Sequence, residues 1–113
     1  MLVVRGDALD PYLLRIDALR FMRRYPTWGR YGVSAFLAND AAEVDVLCET
    51  KLERFATLVV FHCDDLEASG VEVVPTFRAP HVTLAGTELD LLVNRLISCQ
   101  HKTMANVHHQ PGG

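Results

Sequence analysis

Phe55-Ala56-Thr57-Leu58-Val59-Val60-Phe61-His62 is the most strand-like segment of the chain, apolar at nearly every position and rich in β-branched and aromatic residues. A run that is apolar on both alternating sets belongs inside a sheet with both faces covered. That reading sets the fold, because the flanking segments then have to supply partner strands and covering helices. Upstream, Tyr31-Gly32-Val33-Ser34-Ala35-Phe36-Leu37 reads as a second strand with Tyr31, Val33, Ala35 and Leu37 on one side. Leu2-Val3-Val4-Arg5 is a short buried strand that Gly6 ends. Downstream, Val71-Glu72-Val73-Val74 is a strand that Pro75 ends or places at an edge. It forms a hairpin with His81-Val82-Thr83-Leu84-Ala85 across the Arg78-Ala79-Pro80 turn.

Helices separate these strands. Asp10-Pro11 combines an N-cap with proline at the first helical position, and the helix runs to about Tyr25, where Pro26 stops it. Leu14, Ala18, Phe21, Met22 and Tyr25 form its apolar side, widened by Tyr12, Ile16 and Leu19. Asp40 with Glu43 predicts a capping box for a helix over 41–50. Asp64 to Gly70 gives one or two turns. Thr87 with Asp90 is expected to cap the last helix, in which Leu89, Leu92, Val93, Leu96 and Ile97 follow helical spacing. The expected fold is a single compact α/β (α+β) domain over residues 1–109. It has a mixed sheet of about five strands and three main helices, the helices 11–25 and 88–99 covering the sheet and 41–50 lying at one side. From Cys99 onward neither periodicity is present, so this part reads as a tail. Residues 110–113, with their Pro-Gly-Gly, are expected to be disordered.

A chain of 113 residues is near the commonest domain size. No apolar run approaches the roughly 20 residues that span a bilayer, so no membrane association is expected. The first residues lack a basic segment ahead of an apolar one, so a secretory signal is not expected. Three cysteines at unpaired spacings fit a reduced, cytoplasmic setting. Net charge is −3, yet residues 1–30 carry six arginines against three acids. A local basic surface on an acidic chain fits an anionic ligand, and a solvated helix face is the plainer reading.

Five positions stand out for chemistry. Arg5 ends a buried strand and needs an anion. A phosphate would fit its planar donor fork, and an ion pair with Asp7 or Glu72 would serve the fold alone. His81 opens a strand directly after Pro80 and suits general acid–base work, or a purely structural hydrogen bond. His101, Asn106 and His109 lie on the tail. If that tail folds back, two imidazoles and an arginine make a metal-independent phosphodiester cleavage site. Ser34 borders the small side of its strand beside Gly32, and Trp28 with Tyr25 and Tyr31, beside Arg24 and Arg30, offers a base-stacking edge or plain packing of the core edge and loop. Zinc on Cys99, His101 and His108 or His109 is disfavoured by ligand spacing, and neither metal nor cofactor is expected. Ser34 lacks the Gly-x-Ser-x-Gly setting of a hydrolase nucleophile.

The pieces Val3-Val4-Arg5-Gly6, Tyr31-Gly32-Val33-Ser34-Ala35-Phe36, Val74-Pro75-Thr76 with Pro80-His81, and Cys99-Gln100-His101 with Asn106 and His109 resemble a group of short bacterial proteins without an established activity. Arg5 and Ser34 also resemble, more distantly, the strand arginine and strand serine of ADP-ribosyltransferases. That resemblance implies NAD as substrate and a catalytic glutamate. Glu72 is the only strand glutamate, and it lacks the paired-glutamate pattern of that family. The leading expectation is a small enzyme acting on RNA or a nucleotide, a ribonuclease of the kind found as the toxin of a toxin–antitoxin pair. Arg5, His81, His101, Asn106 and His109 are its expected site, and an antitoxin or a second copy its expected protein partner. ADP-ribosyl transfer and a non-catalytic protein-interaction module are the alternatives.

Overall fold

The structure, a computed structural model, describes residues 1–110 of the chain. Six strands form one sheet: β1 (Leu2–Gly6), β2 (Tyr31–Ala38), β3 (Thr57–His62), β4 (Glu72–Pro75), β5 (His81–Gly86) and β6 (His101–Ala105). Their spatial order is β4-β5-β2-β1-β3-β6 and every pairing is antiparallel. The expected mixed sheet of about five strands is therefore corrected on two points. The tail supplies a sixth strand, and no two neighbours run parallel. The expected hairpin is present, with Glu72 opposite Ala85 and Pro75 opposite Val82. The segment 57–62 is interior, flanked by β1 and β6, as its two-sided apolar pattern requires.

Four helices connect the strands: α1 (Pro11–Arg24), α2 (Ala41–Thr50), the short α3 (Cys63–Ala68) and α4 (Leu89–Ser98). Asp10 caps α1 by accepting from Leu13 N, and Asp40 caps α2 by accepting from Glu43 N at 2.9 Å. The Glu43 carboxylate reaches back to Asn39, at both its backbone and its side-chain nitrogen. The predicted Thr87 cap does not form. Glu88 occupies the cap position of α4 without a side-chain hydrogen bond, and packing of Leu92, Val93 and Leu96 fixes this helix instead.

The sheet has two apolar layers. On one face Val3, Val33, Ala35, Val59, Phe61, Val82 and Leu84 meet Leu14 and Ala18 of α1, Leu66 of α3 and the apolar stripe of α4. Phe61 is fully buried there, and truncating it to alanine would cost about 3–5 kcal/mol. On the other face Val4, Ala38 and Leu58 meet Val44, Leu47 and Cys48 of α2 and Leu52 beyond it. That second layer covers the β1–β3 side. Ser34, Phe36 and His81, on β2 and β5, are left partly or fully open.

The sheet is not closed along its middle. β1 and β2 pair only over Leu2–Val4 against Phe36–Ala38. Beyond Val4, β1 stays with β3 to Gly6, and Asp7 N continues to Thr57 O at 2.8 Å. β2 stays with β5 as far as Tyr31 opposite Gly86. The two central strands thus part, and the sheet opens at its middle.

The tail is tied down. β6 pairs with β3 from Thr57 opposite Ala105 to Phe61 opposite His101. Gln110, expected to be disordered, donates its backbone N–H to Glu53 O at 2.9 Å. The rest of the expected disordered stretch, 111–113, lies outside the described residues. No helix among the described residues is long and apolar enough to cross a membrane.

Candidate functional site

A cleft of about 660 Å³ fills the opening between β1 and β2. Its floor is Arg5, Gly6, Gly32, Val33 and Ser34; Leu13, Asp17, Arg20, Phe21, Arg24 and Tyr25 of α1 and its end form one wall. Lys51, Leu52, Arg54 and Phe55, in the connection from α2 to β3, form the other, and Phe36, Phe77 and His81 close the end. Two glycines keep it open. A β-carbon at Gly6 would lie 2.3 Å from the Phe55 ring, and one at Gly32 would lie 2.4 Å from Thr83 Cγ2.

Arg5 spans the parted strands. Its side chain is only 12 % exposed, Nη1 donates to Ser34 O at 2.9 Å and Nη2 pairs with Asp17 at 2.5 Å. The buried charge is therefore met by Asp17, not by the expected Asp7 or Glu72, because α1, packed on β2, brings Asp17 to the Arg5 guanidinium. Nε is buried without a partner among the described residues. Around this neutralised pair stand Arg20, Arg24, Lys51 and Arg54, all exposed. Five cations and two carboxylates, those of Asp7 and Asp17, line the cleft of a chain whose net charge is −3.

His81 stands at the end of the cleft on β5. Its Nδ1 lies 2.9 Å from Thr76 Oγ1, which lies 2.8 Å from the buried Thr83 Oγ1. Phe36 packs edge-on to the imidazole at 5.3 Å and Phe77 lies tilted at 5.0 Å. Burial pushes its pKa below the ordinary 6.5, and bonding to Thr76 opposes this. The ring is thus held neutral near pH 7, with Nε2 free of any partner among the described residues.

The structure brings Arg5, Ser34, Arg24 and His81 to one cleft. It does not bring the tail there. His101 lies on β6, separated from β5 by three strands, a distance of about 19 Å at the usual strand spacing. Its Nδ1 lies 2.7 Å from Cys99 O. Asn106 is buried, and its amide nitrogen donates to Cys48 O, Leu52 O and Phe55 O, while its oxygen accepts from His108 N. All of that bonding serves the fold. His109 Nδ1 lies 3.2 Å from Glu53 O, and His108 pairs with Asp45 on α2. The expected grouping of Arg5, His81, His101, Asn106 and His109 does not assemble: Arg5 and His81 line the cleft and the three tail residues do not, since β6 docks on the far side of β3. Among the described residues no three His, Cys, Asp or Glu side chains converge as a metal site would require.

Trp28 packs edge-on to Phe21 at 5.4 Å and does not line the cleft. Arg30 pairs with Glu72 at 2.8 Å on the outer strand β4, so neither reaches the cleft. The glutamate that ADP-ribosyl transfer would need is thus held away from Arg5 and Ser34. Sequence reasoning missed Phe77, Arg20, Lys51 and Arg54. The three cations sit at unremarkable exposed positions, and only the parting of β1 from β2 gives them a common focus. No family model, curated protein or solved structure matches this chain.

Proposed function

We propose that the cleft binds phosphate groups of RNA or of a nucleotide, and that His81 serves there as general base in metal-independent phosphodiester cleavage. One observation carries this reading: a neutral imidazole shares a cleft with five cationic side chains on an otherwise acidic chain. Arg5 is fixed by Asp17 and Ser34 and forms a rigid floor. Arg20, Arg24, Lys51 and Arg54 are exposed and supply the mobile charge that an anion meets first.

General-base action calls for one tautomer of the two that the Thr76 contact accepts. With Nδ1–H donating to Thr76 Oγ1, and Thr76 donating to Thr83, Nε2 carries the lone pair. It takes the proton of a ribose 2′-hydroxyl as that oxygen attacks phosphorus. The same imidazole, now charged, returns the proton to the departing 5′-oxygen, because His101 stands at the far edge of the sheet. Charge that builds on the phosphorane meets the guanidinium groups, an electrostatic contribution of the kind worth about 3 kcal/mol per well-placed donor.

The test is incubation of purified protein with single-stranded RNA at pH 6–8 in the presence of a chelator. Cleavage by wild type that falls at least a hundredfold in His81→Ala is expected, with His101→Ala unchanged. Equal cleavage by the His81 variant would remove the reading. As a toxin, the wild-type chain would arrest growth on expression and His81→Ala would not. An NAD-induced rise in melting temperature that Arg5→Ala abolishes would favour ADP-ribosyl transfer instead.

A further inference from the structure

Phe77 is placed where folding alone would not put it. The residue is 69 % exposed, and its backbone has φ +57°. A turn that needs a left-handed residue ordinarily takes glycine or asparagine, and a bulky side chain there is strained. A large aromatic left in water gives the core nothing in return. Such strain persists where the surrounding structure holds it, and it concentrates at ligand sites.

The neighbours of Phe77 say what it faces. Its ring lies 5.7 Å from Tyr25 and 5.0 Å from His81. Arg24 lies over the Tyr25 ring with Cζ 5.9 Å from its centre. All four line the cleft. Aromatic faces beside a guanidinium match one chemistry well, a planar base attached to a phosphate.

Resting on the phosphate-binding reading above, we infer that Phe77 and Tyr25 form a stacking platform for an unpaired nucleobase. The platform sets a nucleotide of single-stranded RNA beside His81 while Arg24 takes the adjoining phosphate. A duplex is excluded as substrate because its bases are already stacked on one another and offer no free face. The platform has no hydrogen-bonding side chain in its rings except the Tyr25 hydroxyl, so it reads base stacking more than base identity.

The experiment is equilibrium binding of a fluorescent 2′-O-methyl tetranucleotide, which lacks the attacking hydroxyl and cannot be cleaved. It is compared with the same sugar-phosphate chain made abasic and with a 2′-O-methyl duplex. Wild type is expected to bind the base-bearing strand roughly tenfold or more tightly than the abasic one. Phe77→Ala should lose that advantage and keep its affinity for the abasic strand, with an unchanged melting temperature because the side chain is exposed. Phe77→Trp should retain it. Equal affinity of wild type for base-bearing and abasic strands, or an unaltered preference in Phe77→Ala, would overturn the platform and leave the phosphate-binding cleft standing. Absence of binding to either strand would overturn both.

Discussion

His81 shows how one residue ties stability to chemistry. Burial lowers its pKa, so the folded protein resists protonating it while the unfolded chain protonates it near pH 6.5. Between those two values the unfolded state binds more protons, and stability falls as the pH is lowered. The full contribution is present above 6.5 and is lost progressively as the pH falls from there through the folded value. Thermal melts of wild type and His81→Gln between pH 5.5 and 7.5 check this. The wild-type melting temperature should drop more on acidification than that of the variant, and parallel curves would contradict it. The same shift keeps the imidazole available as a base at neutral pH. Arg5 behaves differently. Its charge is already matched by Asp17 and Ser34 O, so it shapes the cleft floor, and on the proposed reading the first capture of an anion falls to its exposed neighbours.

At the scale of elements, most of the architecture was legible and the tail was not. Apolar patterning placed β1, β2, β3 and the β4–β5 hairpin, and Asp10-Pro11 and Asp40 marked two helix starts that the structure keeps. His101-Lys102-Thr103-Met104-Ala105 has no alternation because it forms an edge strand, largely exposed, with only Met104 partly covered. Polar edge strands of this kind resist further pairing, and they are hard to tell from coil by composition. Asn106 looked catalytic for a related reason: a lone polar residue among histidines reads as chemistry until its bonding is seen. It anchors the end of β6 to Cys48, Leu52 and Phe55. Asn106→Ala leaves these buried carbonyls without a donor and should destabilise the fold by about 3 kcal/mol. For a domain of this size that lowers the melting temperature by more than about 10 °C. Affinity for a single-stranded oligonucleotide, measured well below the melt, should be unchanged. A stable variant that has lost cleavage would return Asn106 to the site. Arg5 and His81, which line one cleft, could be singled out from the sequence because both lie at or next to strand ends. Phe77 was not, since its meaning lies in a backbone angle and in rings distant in sequence.

At the scale of the whole molecule, charge is separated by location. Arg20 and Arg24 of α1 and the Lys51 and Arg54 connection face one cleft, while acids such as Asp64, Asp65 and Glu67 of α3 lie exposed or half-exposed elsewhere. Binding of a phosphate chain should therefore depend steeply on salt. With about three phosphates engaged, the logarithm of affinity should fall against that of salt concentration with a slope of about −2. Arg20→Glu with Arg24→Glu should flatten that slope and weaken binding at least tenfold, with little change in melting temperature because both side chains are exposed. Titrations between 50 and 300 mM salt check this, a roughly sixfold range that brackets physiological ionic strength. A slope near zero in wild type would place recognition elsewhere.

The parting of β1 from β2 makes the cleft a taper. The strands are laced together at Val4 and Phe36 and free of each other beyond them. A wedge of this form has no single width. On the proposed reading, such a wedge would sort its guests by how deep each settles, much as a gauge does, and a phosphate and a base would come to rest at separate depths along a single slope.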